Sequence, residues 1–208
     1  MSKILLSAFE PFDKDSENAS KVVLEALPNQ LDGAQLVKVV LPVVFRHAFD
    51  QLKPLIEKHD PDYIVMMGEA KGATRISLEQ IAINIMDAKT KDNHGNRMQG
   101  ETIVEGGPDG LFTNLPIAEL KQALLDQNIP VERSYSAGTF VCNALFYQTL
   151  YHVKSLNKTT GVGFVHVPAV PSQASRYRAL PSMEKGLLAE AMLVYFDKLL
   201  SVPLEKRG

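Results

Sequence analysis

Ser136-Ala-Gly-Thr-Phe-Val-Cys-Asn-Ala-Leu-Phe-Tyr147 carries the chain's one cysteine into the start of an expected helix. Gly138 suits a tight turn, Thr139 suits an N-cap, and Phe140, Val141, Ala144, Leu145, Tyr147 and Tyr151 follow at helical spacing. The helix is therefore expected to begin just before Cys142. In a first turn, unpaired N–H groups and the positive end of the helix dipole favour a thiolate and offer donors to an oxyanion. The residues leave two readings of Cys142 open: a nucleophile activated by its place in the helix, or a small buried hydrophobe.

Outward from this stretch, the pattern alternates strands with helices. Pro130 to Ser134 reads as a short strand leading in, and Gly161-Val-Gly-Phe-Val-His-Val-Pro168 as an apolar strand interrupted by one histidine. Ser182 is placed to cap a closing helix with the stripe Leu188, Ala191, Met192, Tyr195, Phe196 and Leu199. Towards the N-terminus, Lys3 to Phe9 is a strand running into the loop Glu10-Pro-Phe-Asp-Lys-Asp15. A helix over Ala19 to Leu27, a strand over Gln35 to Leu41 and a strand over Tyr63 to Met67 follow. Phe45, Phe49, Leu52 and Ile56 place a helix between Val43 and His59, which Pro54 is expected to kink or divide. Ser77 to Ile85 alternates as a strand, with Glu79 on the face of Ile81, Ile83 and Ile85. Asp87 to Asn114 lacks periodicity and is expected to be a long loop, either a lid or an oligomer contact. Leu115 to Gln127 is helical. Strand, helix, strand in this order predicts an α/β fold with a largely parallel sheet covered on both faces.

No composition break divides the 208 residues, so one domain over 1–208 is expected. A hydrophobic share of 45%, a charged share of 22% and a net charge of -2 suit a soluble protein without a block of charge to clamp nucleic acid. A single cysteine excludes an internal disulfide. The run Ile4-Leu5-Leu6 is too short for a signal-peptide core or a membrane span, which makes the cytoplasm the default expectation. CxxC, HExxH, GxGxxG and GxxxxGK[ST] patterns are all missing from the sequence, so no metal or cofactor is expected.

A nucleophilic cysteine needs an imidazole, and five histidines compete. His152 lies ten positions along the same helix, about 15 Å from Cys142 at 1.5 Å per residue. His47 and His59 belong to a polar-faced helix, and His94 to an Asp-Asn-His-Gly-Asn turn. His166 remains, near the carboxyl end of a strand, where α/β sheets form their crevices; a satisfied core histidine is the alternative. Glu79 is the acid best placed to orient it, unless it is a strand-end carboxylate facing water. Asp13, Asp15, Asp60 and Asp62 lie in loops and turns.

Phe9-Glu-Pro-Phe12 with Asn18, Ile76-Ser-Leu-Glu-Gln-Ile-Ala-Ile-Asn84, Asp92-Asn-His-Gly-Asn96, Ser136 to Asn143 and Val165-His-Val-Pro168 together resemble the pyroglutamyl peptidase I family of cysteine exopeptidases, in order and spacing. The resemblance implies a triad of Cys142, His166 and Glu79, a three-layer α/β/α sandwich with a twisted mixed sheet, no cofactor, and homo-oligomers, dimers or tetramers. It implies hydrolytic removal of an N-terminal pyroglutamyl residue from peptides, with no nucleic-acid or membrane partner. Phe9, Phe12 and Val141 would line the pocket for the uncharged lactam, with Asn18 and Glu69 at its polar edge. Lys89 stands where arginine is usual near the oxyanion region, Glu69 where glutamine is common, Gln80 where a basic residue usually follows the acid, and Asp13-Lys14 where glycines usually follow Phe12.

Overall fold

Ile4, Leu5, Leu6 and Ala8 are completely buried, as expected of a strand whose unbroken apolar run faces a core on both sides. The computed structural model describes residues 1–204. In chain order it contains β1 (Ser2–Phe9), α1 (Ala19–Ala26), β2 (Gln30–Leu31), β3 (Ala34–Leu41), α2 (His47–His59), β4 (Tyr63–Glu69) and β5 (Ile76–Glu79). Next come β6 (Ile81–Ile83), β7 (Met86–Asp87), β8 (Gln99–Glu101), β9 (Gly110–Phe112), α3 (Ile117–Asp126) and β10 (Val131–Ser134). The chain closes with α4 (Val141–Ser155), β11 (Gly161–Val167), α5 (Pro171–Ala174) and α6 (Lys185–Ser201).

Seven strands form the main sheet in the order β10-β5-β11-β4-β1-β3-β2. The pairings β1–β3, β1–β4, β11–β4 and β10–β5 are parallel, while β11–β5 and β2–β3 are antiparallel. One face of the sheet packs against α1, α3 and α6, through Val65, Val165, Val167 and the α6 stripe from Leu188 to Leu199. The other packs against α2 and α4, through Ile64, Met66, Val162 and Phe164. The result is a three-layer α/β/α sandwich with a mostly parallel, mixed sheet. Alternation along the strands therefore sends His166 and Glu79 to the α2/α4 side.

Several elements depart from the sequence pattern. The stretch Ser77 to Ile85 is not one strand. Gln80 donates its N–H to Ser134 O at 2.8 Å in the main sheet, while its carbonyl accepts from Thr113 N at 3.0 Å, and beyond it β6 pairs with β9 instead. Both halves are extended, so the sequence alternation runs on, but the facing changes at Gln80: Ile76 and Leu78 join the core under α1, α3 and α6, whereas Ala82 joins the core under α2 and α4, so Glu79 does not keep the face of Ile81 and Ile83. The segment 87–114 is likewise no open loop, because β7 pairs with β8 and β6 with β9 in two small antiparallel ribbons. A three-residue strand of Gln-Gly-Glu shows no hydrophobic period to detect.

Helix α2 starts at His47 rather than Val43, since Arg46 has a φ of 62° and the Phe45 amide is taken by the Asp92 carboxylate at 3.0 Å. It then runs through Pro54 undivided. Pro54 is exposed, so the Asp50 carbonyl left without a helical partner faces water, while Ala48, Leu52 and Ile56 keep the helix on the sheet. Ser182 does not cap α6; Glu184 stands at the boundary without a side-chain bond. Met183 N–H is held by Ala169 O at 2.9 Å, which keeps the chain extended past Ser182.

Candidate active site

Glu79, His166 and Gly68 lie on three adjacent strands, β5, β11 and β4, with their side-chain faces towards α4. His166 is in register with Gly68 on β4, and Phe164 with Glu79 on β5, so Glu79 is the diagonal neighbour of His166 across the antiparallel pair. A long side chain spans that diagonal. His166 Nδ1 lies 2.8 Å from Glu79 Oε1, with Glu79 only 2% exposed and His166 9%. As the carboxylate can only accept, Nδ1 carries the proton and Nε2 is turned elsewhere.

Cys142 reaches the same place from above. Gly138 has a φ of 74°, making the turn that precedes α4, and the helix begins at Val141, immediately before Cys142. Thr139 is not its N-cap: its hydroxyl donates to Asp87 O at 2.6 Å, and Asp87 N–H donates to Thr139 O at 3.0 Å. Paired to β7 in this way, residue 139 stays extended and Phe140 becomes the boundary residue, with no side chain capping the helix start. The amides of the first turn are thus left to a ligand. Asn143, completely buried, fastens that turn: it accepts from Ile83 N at 2.9 Å and donates to Ile83 O at 2.9 Å and Ile85 O at 3.1 Å.

Burial by itself depresses the basicity of His166, but hydrogen bonding to Cys142, the charge of Cys142, and the hydrogen bond and charge of Glu79 outweigh it, raising the pKa from 6.5 to about 10. An imidazolium is therefore held at neutral pH beside the half-buried Cys142 sulfur. The other histidines are elsewhere. His152 packs edge-on against Phe49 with centroids 5.7 Å apart, and His47 lies against His94 at 5.8 Å.

The half-buried Cys142 also lines a cavity of about 320 Å³ at the carboxyl edge of the sheet, where β1 and β4 end. Phe9, Phe12, Val43 and Phe140 supply its apolar wall, with Phe12 and Phe45 each about 5 Å from the Phe140 ring (5.2 and 5.1 Å). Asn18 and Glu69 stand at its polar edge. Asn18 caps α1 by accepting from Ser20 N at 3.0 Å, and Glu69 Oε2 accepts from Ala19 N at 2.7 Å and from buried Gln173 Nε2 at 2.8 Å. Asp13, Asp15, Glu17 and Lys71 form the mouth. There Asp15 is ion-paired to Lys71 and accepts from the Tyr177 hydroxyl at 2.5 Å, while Lys71 Nζ sits 4.4 Å from the Tyr177 ring centre. Burial would raise the Asp15 pKa, but the bonds from Lys71 and Tyr177 and the charges of Lys71 and Arg176 hold it below its usual 3.8.

Phe9, Phe12, Asn18 and Glu69 line this cavity together with Cys142. Val141 and Lys89 are not in the lining. The Val141 side chain, 1% exposed, belongs to the α2/α4 core. Lys89 is exposed, because the chain just before it is tied outward to the β7–β8 ribbon through Ala88 N to Met98 O at 3.0 Å. Asn143, Phe140, Gln173 and the Asp15–Lys71–Tyr177 clasp were not singled out by sequence reasoning. A polar side chain at a helix position otherwise reserved for core residues was the available signal for Asn143; Gln173 and Tyr177 meet the site only through tertiary contact.

A thiol, an imidazole and a carboxylate in series, at the carboxyl edge of an α/β/α sandwich and beside a cavity with an apolar wall, define a cysteine-hydrolase type of site. Comparison with known proteins narrows the class. A family model described as pyroglutamyl peptidase matches residues 2–198. A pyrrolidone-carboxylate peptidase of Thermosipho melanesiensis is 40% identical over 181 residues, covering 87% of this chain and 90% of the relative. That of Thermosipho africanus is 39% identical over 191 residues, covering 92% and 93%. The crystal structure of pyroglutamyl peptidase I from Bacillus amyloliquefaciens superposes with a TM-score of 0.93 at 32% identity, covering 100% of this chain and 99% of that one. The chain belongs to the pyroglutamyl peptidase family.

Proposed function

We propose that this protein is a cysteine exopeptidase that hydrolytically removes an N-terminal pyroglutamyl residue from peptides, with Cys142 as nucleophile, His166 as proton carrier and Glu79 as the group that orients it. Family membership supports the activity. The single observation that carries the residue assignment is the 2.8 Å contact between Glu79 and an imidazole that is itself coupled to Cys142.

In this reading the Cys142 sulfur forms a bond to the pyroglutamyl carbonyl carbon, and the carbonyl π electrons move to oxygen. First-turn amides of α4 receive that oxyanion. Collapse breaks the C–N bond, and His166 gives its proton to the departing amine. Water then attacks the thioester, losing a proton to His166, and pyroglutamate leaves as the thiolate is restored. Glu79, buried against Nδ1, keeps the ring in the tautomer these transfers need. The aromatic walls suit an uncharged five-membered lactam better than a free ammonium group. Glu69 can accept the lactam N–H but cannot donate to its carbonyl, and its fixed Oε2 leaves Oε1 for that role.

The whole chain acts as one domain in this proposal, in the cytoplasm, as a homo-oligomer. A lone reactive thiol fits a reducing compartment, and light scattering on the purified protein gives the subunit count.

The test is turnover of a chromogenic pyroglutamyl amide. Wild type should release the chromophore, and Cys142→Ser or prior alkylation should abolish release. Retained turnover in Cys142→Ser would remove the mechanism, and binding of pyroglutamate without turnover by wild type would make the protein a binder on the same fold.

A further inference from the structure

We propose that Gly68 is a positioning residue for the reaction: the missing side chain on β4 is the seat that holds the Cys142 sulfur beside His166. A Cβ built on Gly68 would lie 2.9 Å from Cys142 Sγ and 2.9 Å from Phe164 Cζ, where ordinary contacts begin near 3.4 Å. Backbone conformation does not call for glycine here. Gly68 is not among the residues with positive φ, and a central strand gains more from a β-branched residue than from glycine. Space is the remaining reason.

The register explains why the space falls at this residue. His166 is paired with Gly68 on one side and reaches Glu79 on the other, so the three strands set carboxylate, imidazole and void in one row. The sulfur, hanging from the first turn of α4, fills the void at the end of that row. Of the two groups a methyl would strike, the Phe164 ring has less room to give, so it turns the methyl towards the sulfur. It is 1% exposed and wedged between Phe146 and His166, with ring centroids 5.8 and 4.8 Å away. Cys142 is half-buried and borders the cavity, so the sulfur is the group that moves, away from the imidazole and towards the substrate.

This inference rests on the assignment of Cys142 and His166 in the proposed function, and its test separates the two. In Gly68→Ala, kcat on the pyroglutamyl amide should fall by about 10-fold or more, as expected for a nucleophile displaced by about 0.5 Å, with KM changed less than about twofold. The rate of iodoacetamide alkylation against pH needs no substrate. Its profile should differ from that of wild type, because the sulfur has moved relative to the imidazole. Wild-type kcat with a wild-type alkylation curve in Gly68→Ala overturns the proposal. A shifted curve in a protein that never cleaves the amide leaves the seat standing and overturns the peptidase reading alone. Should Gly68→Ala fail to fold, Gly68→Ala/Cys142→Ala decides. Folding recovered on removing the sulfur places the collision at Cys142, whereas a double variant still unfolded places it at Phe164 and overturns the proposal.

Discussion

Replacing Asn143 with alanine asks whether the thiol is held in place by one buried amide. The side chain has no exposure and makes three hydrogen bonds, at 2.9, 2.9 and 3.1 Å, to the backbone of Ile83 and Ile85. At about 1 kcal/mol net apiece they contribute about 3 kcal/mol. Truncation also takes the partner from the Ile83 amide and the Ile85 carbonyl, while the Ile83 carbonyl keeps the Ile85 N–H at 2.9 Å. Ile83 and Ile85 are half-buried, so water meets part of that need, and the total loss should be about 3–4 kcal/mol. Domains of this kind have about 5–15 kcal/mol in all, so the variant should fold but melt at least about 6 °C lower. Equilibrium urea unfolding, with an unchanged m value, measures the loss, and kcat measured on the folded fraction should fall while KM moves little. Asn143→Asp keeps the acceptor for Ile83 N–H but sets a carboxylate against two carbonyls, and should be no more stable than the alanine variant. A loss under about 1 kcal/mol with kcat intact would falsify this account: α4 would then be held by its apolar stripe, and Asn143 would be incidental.

Three further variants, at Glu79, Asp92 and Lys71, have expected outcomes of the same kind. Glu79→Gln retains the shape but not the charge beside His166 Nδ1, and kcat should drop by about 10²–10⁴-fold with KM little affected. Because the His166 pKa is raised to about 10 from 6.5, its protonation contributes stability that is complete below 6.5 and lost as pH rises through about 10. The stability gap between wild type and Glu79→Gln in urea should therefore be widest near pH 6 and narrow towards pH 10; a gap independent of pH would show that the two groups are not coupled. Asp92 behaves oppositely. Burial pushes its pKa up, but bonds from the Asn96 side chain and from the amides of Asn96, Phe45 and His94 hold it below 3.8, so the stability it contributes is present above 3.8 and lost as pH falls through its lowered value. Asp92→Asn should cost about 1–3 kcal/mol at pH 7 and much less at pH 2. At the cavity mouth, Lys71→Ala removes the partner of Asp15 and the cation over Tyr177. KM for the pyroglutamyl amide should rise by a few fold with kcat unchanged, and a change confined to kcat would place Lys71 in the chemistry instead.

Most of the sandwich was legible in the sequence, as were the cysteine, histidine and glutamate that the structure brings together. Continuous apolar runs such as Ile4-Leu5-Leu6 and Ile64 to Met67 report strands buried on both faces, because no polar alternation is compatible with two covering layers. The α6 stripe and the turn at Gly138 are equally local: each is a periodicity or a backbone preference that neighbours in sequence determine. So the start of α4 just ahead of Cys142 follows from residues 136–147, whereas the lack of a side-chain cap on its first turn follows from the contact of Thr139 with Asp87.

Tertiary structure decided whatever depended on a partner distant in sequence. Thr139 has the side chain of an N-cap and gives its hydroxyl to Asp87; Ser182 lies ahead of α6 and is held extended by the pairing of Met183 with Ala169. Gln80 ends one strand and opens another with no punctuating residue, since both pieces are extended and they differ in the sheet they join and the core they face. Lys89 sits near a recognisable motif and points away from the cavity, while Gln173, far along the chain, buttresses Glu69 at its edge. The register of β11 against β4 and β5 brings Glu79, His166 and Gly68 into one row. Local sequence specifies which residues are chemically capable, through propensity and period; which of them meet is set by strand register and by competition for hydrogen bonds, and those are properties of the assembled sheet.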